Sequence, residues 1–307
     1  MDKMIYAYTI ENDKLSKGHS DFTRKFSNKL KDSDTVKLRC YEVNSDTRES
    51  DLLLKFIIEG SNVLYGIIAR IRPTKDMPSL PTDFLERKSL DISDLEGLGE
   101  SGEKMTCRDI DYFVLDNEHL VTTMPSSRIA RFKAFVNHFL EVERGDSLYS
   151  FTAMIEMPKD VKLEDLTQIV FSGNGGMVSL DSQKEEVKTT IIQMAKDKLS
   201  TLVNDSDIQF LINKNVLTAN LVIRFNTRSK QYKNDDDIKR ALSAVVTNMS
   251  SDEGVQFATK NKQKINAGST RKCKKVTIDI ALNGQPNQES LRQEMTAFLK
   301  SIKGKAI

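Results

Sequence analysis

The sequence predicts an α+β fold with two domains, each combining a β-sheet with helices. Segments that alternate between apolar and polar residues, as half-buried strands do, occur along the whole chain. Segments with one apolar face at helical spacing lie between them. The chain has 307 residues, a length typical of one large domain or two of moderate size. Its 38% hydrophobic content is enough to form a core and excludes wholesale disorder.

The first domain, residues 1–145, is predicted to be rich in β-hairpins. An apolar opening strand is followed by a short amphipathic helix, which carries Phe22, Phe26 and Leu30 on one face. Turn residues such as Gly60 and Asn62 between apolar runs predict the hairpins. The predicted strands cover residues 4–10, 36–40, 52–58, 63–71, 110–115 and 120–124.

Two further segments complete this domain. Residues 74–105 mix prolines, acidic residues and glycines, so we expect a surface loop with room for one helical turn. A helix is predicted to begin after Pro125, with Ile129 and Phe132 on its apolar face. It is expected to end near Gly145, because glycine suits a left-handed helix cap. We place the domain boundary there.

The second domain, residues 146–307, is predicted to contain an antiparallel sheet and amphipathic helices. Strands are expected at residues 149–157, 217–225 and 276–280, whereas residues 162–171 fit either a helix or a strand. The predicted helices cover residues 182–203, a segment that begins at 235–237, and a final segment after Asn287 that presents Leu291, Met295 and Ile302 on one face.

Charge is distributed unevenly along the chain. The net charge is only +2, but residues 201–307 contain 18 Lys and Arg against 10 Asp and Glu, or +8, which leaves −6 on residues 1–200. In the densest stretch, residues 260–275, seven basic residues occur with no acidic one. Such a concentration is typical either of a solvated lysine-rich surface or of a surface that binds nucleic acid.

The candidate nucleic-acid-binding residues are basic side chains within residues 224–275. Few aromatic residues lie among them, which favours contact with the backbone of duplex DNA over stacking on single-stranded bases. No helix-turn-helix or zinc-finger pattern accompanies them, so we expect binding without sequence specificity. The set comprises Arg224, Arg228, Lys230, Lys233, Lys260, Lys262, Lys264, Arg271, Lys272, Lys274 and Lys275.

Patterns for catalysis or for a cofactor are weak. The three cysteines are far apart and the three histidines form no HxxxH pair, so we expect neither a disulfide framework nor a zinc site. Residues 173–176 are glycine-rich but match no phosphate-binding pattern, and we expect a plain turn. We therefore predict no catalytic residue, no metal and no cofactor.

Two alternative functions stay open. Asp109 and Asp111 fall on the same face of a predicted strand, as the carboxylates of a Mg²⁺-dependent nuclease would. Their other interpretation is a solvated strand edge that resists aggregation. A non-enzymatic protein-interaction scaffold is the second alternative.

The sequence also predicts where in the cell the protein is located. No apolar run approaches the roughly 18–20 residues that cross a bilayer. The first ten residues lack the basic and apolar regions of a secretory signal. We therefore expect a cytoplasmic protein that does not insert into a membrane.

A family resemblance lies in one local segment and in the order of the elements around it. The opening strand contains Tyr6 and Tyr8, and residues 111–124 read DYFVLDNEHLVTTM before a serine-started helix that ends in Phe139-Leu140. A strand with Arg224, a lysine-bearing segment at 251–275 and a final amphipathic helix follow. This order resembles RexA-like phage-exclusion proteins and, similarly, the DNA-binding subunit of a Kiwa-like defence pair. Residues 74–105 are where the chain departs from the RexA-like pattern.

The resemblance implies a component of abortive infection, an antiviral defence of bacteria against phage. It implies a homodimer that binds duplex DNA without sequence specificity, senses phage infection and acts on a membrane-protein partner. The family has no catalytic motif that matches residues of this chain, so the resemblance carries over no catalytic residue.

Overall fold

The computed structural model describes residues 1–12, 21–44, 46–47, 49–60, 62–72, 82–96, 106–142, 149–174, 218–225, 239, 242–243, 245–247, 255–281 and 284–303. Two β-sheets with accompanying helices confirm the predicted α+β class. Two units share the chain: Met1–Met154 together with Cys273–Ile307, and Ile155–Lys272.

The regular elements are numbered in chain order. The strands are β1 (Asp2–Asn12), β2 (Cys40–Asn44), β3 (Glu49–Glu59), β4 (Val63–Arg72), β5 (Thr106–Leu115), β6 (His119–Thr122), β7 (Tyr149–Ala153), β8 (Leu166–Asn174), β9 (Thr218–Arg224), β10 (Val255–Thr259), β11 (Lys264–Asn266) and β12 (Cys273–Thr277). The helices whose bounds the structure describes are α1 (Phe22–Asp32), α2 (Thr82–Leu85), α3 (Ile92–Glu96), α4 (Ser126–Phe139) and α5 (Gln288–Lys303).

The sheet of the first unit is antiparallel, in the order β12-β1-β6-β5-β4-β3-β2. Strand β1 is long enough to pair with β12 through its residues 2–6 and with β7 through its residues 8–12. Both predicted hairpins are confirmed, as β3–β4 and β5–β6. Gly60 takes a φ of +60° between β3 and β4, a conformation that glycine adopts without a steric cost.

Helices cover both faces of this sheet. Successive residues of a strand point to opposite faces, and the central strands carry apolar residues on both faces. Leu291 and Met295 of α5 pack in a buried cluster with Tyr112 and Val114 of β5. On the opposite face, the ring of Phe113 lies 4.9 Å from the ring of Phe132 in α4, centroid to centroid. The apolar faces predicted for α4 and α5 are therefore the faces that the structure buries, and α1 likewise buries Phe22, Phe26 and Leu30.

Three local predictions in the first unit are wrong. Residues 37–39 form a 3₁₀ turn rather than a strand, because the Arg39 guanidinium is buried and donates hydrogen bonds to the carbonyls of Ser33, Leu53 and Lys88. Segment 74–105 contains two short helices, α2 and α3, and buries Leu90 completely, so it contributes to the core. Helix α4 ends at Phe139, well before Gly145.

The two units do not follow the predicted division at residue 145. Strands β7 and β12 both pair with β1, which places residues 149–154 and 273–303 in the first unit. The chain therefore leaves the first unit after Met154 and returns to it at Cys273. A division along the sequence cannot describe such an insertion.

The second unit has a four-stranded antiparallel sheet in the order β11-β10-β8-β9. Residues 162–171, which fitted either a helix or a strand, are mostly part of strand β8. Gly173 and Asn174 end that strand, so the plain turn predicted there is wrong for these two residues. Residues 242–243 and 245–247 are helical, as predicted for the segment after 235–237, while the helix predicted at 182–203 lies outside the described residues.

Candidate nucleic-acid interface

Two of the predicted basic residues share one row of the second sheet. Arg224 of β9 lies opposite Gln168, Gln168 lies opposite Ala258, and Ala258 lies opposite Lys264 of β11. Directly opposed residues of antiparallel strands project from the same face of a sheet. Arg224 and Lys264 therefore lie on one face at its two edges, about 14 Å apart at the usual spacing of about 4.8 Å between strands.

This face, which we call the Arg224–Lys264 face, carries no acidic residue in its two described rows. The second row consists of Val222, Val170, Gln256 and Asn266. On the opposite face Ile169, Phe257 and Ile265 are buried, whereas Ile223 at the β9 edge of that row is 46% exposed. On the Arg224–Lys264 face Ala258 is buried, and the two edge cations, Arg224 and Lys264, are exposed to solvent.

The hairpin between β10 and β11 adds two more lysines. Lys260 and Lys262 lie in its connecting loop, and both are exposed. The Nζ of Lys260 lies 3.8 Å from Oδ1 of Asp165, a weak ion pair with solvent on both sides. Arg224, Lys262 and Lys264 make no ion pair with any residue that the structure describes.

Lys274 and Lys275 have different surroundings, although they belong to the same basic stretch of the sequence. Both lie on β12, in the first unit, whereas Lys260–Lys272 belong to the second. Lys274 lies 2.8 Å from Glu294 of α5, and Lys275 lies 2.7 Å from Asp2 of β1. The hydrogen bond from Lys275 lowers the pKa of Asp2. Lysines on an edge strand also oppose unwanted pairing with other strands, a structural role that suits β12.

The remaining members of the predicted set divide into two groups. Arg271 and Lys272 are partly buried, and the Arg271 guanidinium donates a 2.9 Å hydrogen bond to the carbonyl of Val246, which holds it within the second unit. Arg228, Lys230 and Lys233 lie outside the described residues.

The two carboxylates of the nuclease alternative belong to a cluster of ionic groups in the first unit. Asp109 and Asp111 do project from one face of β5, as predicted. Arg128 Nη1 of α4 lies 3.2 Å from an oxygen of Asp109 and 3.0 Å from an oxygen of Asp111. Arg131 Nη1 donates a 2.8 Å hydrogen bond to Asp109. The alternative interpretation as a solvated edge is wrong, because β5 lies inside the sheet and Asp111 is only 1% exposed.

Two more residues extend this cluster across the sheet. Arg70 of β4 lies between Asp51 of β3 and Asp109 of β5 in the strand register. Its Nε and Nη2 donate hydrogen bonds of 2.8 and 2.7 Å to the two oxygens of Asp51, a bidentate pair. Sequence reasoning did not assign Asp51 or Arg70 to any site. The available signal was an arginine inside the apolar run at 63–71, since a charge there requires a buried partner.

Burial and the neighbouring arginines shift the pKa values of these carboxylates in opposite directions. Burial alone would raise the pKa of Asp109, but the hydrogen bond from Arg131 and the charge of Arg128 outweigh it and leave the pKa lowered. Burial raises the pKa of Asp111 despite the nearby Arg128. A divalent cation would have to displace guanidinium groups to bind here. In the described ranges, no group of three or more His, Cys, Asp or Glu is placed to hold a metal ion.

No family model matches the chain, and no curated protein matches it significantly. No helix in the described part of the chain is long and apolar enough to cross a membrane.

Proposed function

We propose that this protein binds the backbone of duplex DNA without sequence specificity. One observation carries the proposal: Arg224, Lys262 and Lys264 are cations of the second unit that make no ion pair with any described residue, and Arg224 and Lys264 share a sheet face whose two described rows contain no acid. Cations without an ion-pair partner attract the phosphates of DNA. Their binding releases counterions that had condensed on the DNA, which favours association.

The side chains of the Arg224–Lys264 face favour backbone contact over the other modes of binding. Proteins that hold single strands stack bases on aromatic rings, and the two described rows of this face contribute no aromatic residue. Sequence readout usually relies on a helix or a ribbon that presents several groups to base edges. Long, mobile cationic side chains on a sheet make contacts with phosphates that are independent of sequence.

The biological role in this proposal comes from the resemblance to RexA-like phage-exclusion proteins. The protein would act in the cytoplasm as a homodimeric sensor of phage infection and would transmit the signal to a membrane-protein partner. Catalysis is not part of the proposal. The nuclease alternative gains no support from Asp109 and Asp111, because Arg128 and Arg131 occupy their oxygens. The scaffold alternative predicts no salt-sensitive binding of DNA.

A mobility-shift titration tests the proposal. A duplex of mixed sequence is titrated at several salt concentrations, with and without Mg²⁺, using the wild type and a variant with Arg224→Ala and Lys264→Ala. We expect salt-sensitive binding of uncut duplex, with the log–log slope of affinity against salt reduced by up to about 1.8 in the variant.

A second variant, Lys274→Ala with Lys275→Ala, removes the same formal charge from β12. Because Glu294 and Asp2 already neutralise these lysines, we expect a much smaller change in slope. Absence of any shift by the wild type at low salt would refute DNA binding and favour the scaffold. Cleavage that requires Mg²⁺ would instead favour the nuclease.

A further inference from the structure

The loop between β10 and β11 contains an unusual backbone conformation. The main-chain hydrogen bond from Thr259 to Gln263 closes a turn of three residues, Lys260 to Lys262, within this loop, and Lys262 takes a φ of +62°. Three-residue hairpin loops commonly place their last residue in this left-handed region, and glycine is the usual choice there because other residues are strained. A lysine at this position is therefore an exception that requires an explanation.

The fold itself does not require the Lys262 side chain. The loop is closed by main-chain hydrogen bonds: Lys262 N–H donates to the Thr259 carbonyl at 3.0 Å, and Thr259 N–H donates to the Gln263 carbonyl at 3.0 Å. Thr259 Oγ1 accepts from the Gln263 N–H at 3.2 Å, and Lys260 N–H donates to the Asp165 carbonyl at 2.8 Å. The exposed Lys262 side chain makes no ion pair within the described residues, so glycine would satisfy every contact that holds the loop.

We infer that this loop is a preorganised phosphate contact in which the Lys262 ammonium binds the backbone of duplex DNA. The inference rests on the proposed function. It identifies Lys262, which adopts a backbone conformation that lysine disfavours, as one of the phosphate contacts. The hydrogen bonds of the loop hold the Lys262 main chain in place before DNA arrives, which lowers the ordering cost of the contact.

The charges around the loop distinguish Lys262 from its neighbour. Lys260 shares its charge with Asp165 at 3.8 Å, and the nearby Asp160 accepts from the Gln263 side chain at 3.4 Å. Lys262 lies two residues before Lys264, the last member of the Arg224–Lys264 face. Lys262 and Lys264 therefore place on one hairpin two cations that make no ion pair with a described residue.

The test compares Lys262→Gly and Lys262→Asn with Lys262→Arg. Glycine and asparagine both tolerate the left-handed conformation and remove the charge, whereas arginine keeps the charge. Each variant is titrated with a mixed-sequence duplex at several salt concentrations, and its melting temperature is measured without DNA. Lys300→Ala, which removes an exposed lysine of α5, is the matched control for loss of a surface charge.

For Lys262→Gly we expect a melting temperature at or above that of the wild type, a log–log slope lower by about 0.9, and affinity roughly eightfold weaker at 0.1 M salt. Lys262→Asn should lose the same affinity, and Lys262→Arg and Lys300→Ala should bind like the wild type.

Two results would overturn the inference. Wild-type slopes for both Lys262→Gly and Lys262→Asn, with salt-sensitive binding by the wild type, would refute the role of Lys262 and leave the proposed function standing. Absence of salt-sensitive binding by the wild type would refute both.

Discussion

Gly66 allows a sharp test of the packing in the first unit. It lies on β4 opposite Phe113 of β5, and a Cβ added there would lie 2.2 Å from Cζ and 2.6 Å from Cε1 of the Phe113 ring. The ring cannot retreat easily, because it is fully buried and packs on Phe132. Gly66→Ala should therefore destabilise the fold although it adds a single methyl group.

The expected cost follows from two opposing effects. Overpacking a well-ordered core costs about 1–3 kcal/mol, and contacts this short place Gly66→Ala near 3 kcal/mol. In the opposite direction, replacing a glycine within a strand by alanine stabilises the folded state by about 0.5–1 kcal/mol, because the chain then loses less backbone entropy on folding. The net loss in free energy of unfolding should be about 2 kcal/mol.

Urea denaturation of four proteins measures this effect: the wild type, Gly66→Ala, Phe113→Leu and the double variant. Leucine has no atom at the ring position that meets the new methyl group, so the two changes should be strongly non-additive, with the double variant more stable than the sum predicts. An additive result, or a Gly66→Ala variant within 0.5 kcal/mol of the wild type, would refute the steric argument.

Gly60→Ala is the matched control. Gly60 has a φ of +60° but no neighbouring atom within 4 Å of an added Cβ. We expect a cost of about 1 kcal/mol from the left-handed backbone alone. That cost should not change when Phe113→Leu is added.

Three further predictions concern buried polar groups of the first unit. Asp51→Asn removes the partner of Arg70, and because Asp51 is 1% exposed we expect a loss of about 3 kcal/mol in urea denaturation. Asn137→Ala leaves the β7 main-chain groups that bond its amide unsatisfied, and should cost about 2 kcal/mol in the same assay. Burial alone would raise the pKa of Asp116, but hydrogen bonds from His119, Lys303 and the main chain lower it to about 2. Asp116 therefore contributes stability above pH 4 that is lost as the pH falls toward 2, and Asp116→Asn should be less stable than the wild type by about 2 kcal/mol at pH 6 but nearly equal to it at pH 2.

Each of these predictions has a result that would contradict it. Wild-type stability of Asp51→Asn would show that Arg70 finds another partner without cost. Wild-type stability of Asn137→Ala would mean that water replaces its amide. A difference between the wild type and Asp116→Asn that stays constant from pH 6 to pH 2 would show that the Asp116 charge is not what stabilises the turn.

The local elements could be predicted from the sequence because their signals come from neighbouring residues. Each signal involves residues only a few positions apart along the chain. Examples are the alternation in β9, the apolar runs of the β3–β4 hairpin, and the helical spacing of Phe22, Phe26 and Leu30. The predictions were wrong where a distant contact overrides a local pattern. Residues 37–39 alternate like a strand, yet the burial of Arg39 against carbonyls far along the chain produces a 3₁₀ turn.

The candidate site was predicted only as a set of basic residues. Charge density along the chain identified the stretch at 260–275, because counting charges requires no structure. It could not separate Lys262, which makes no ion pair among the described residues, from Lys275, whose partner Asp2 lies at the other end of the chain. Nor could it anticipate Arg70 between Asp51 and Asp109, a grouping that exists only in the register of three strands.

The sequence by itself thus determined the fold class, most strands and helices, and the basic character of the last third of the chain. These properties follow from periodicity and composition, which are local. The tertiary structure alone decided that β7 and β12 join β1, that the second unit is inserted into the first, and which cations keep their charge exposed. Strand pairing and charge neutralisation depend on contacts between residues far apart in the sequence. Local periodicity and composition do not specify which distant residues form those contacts.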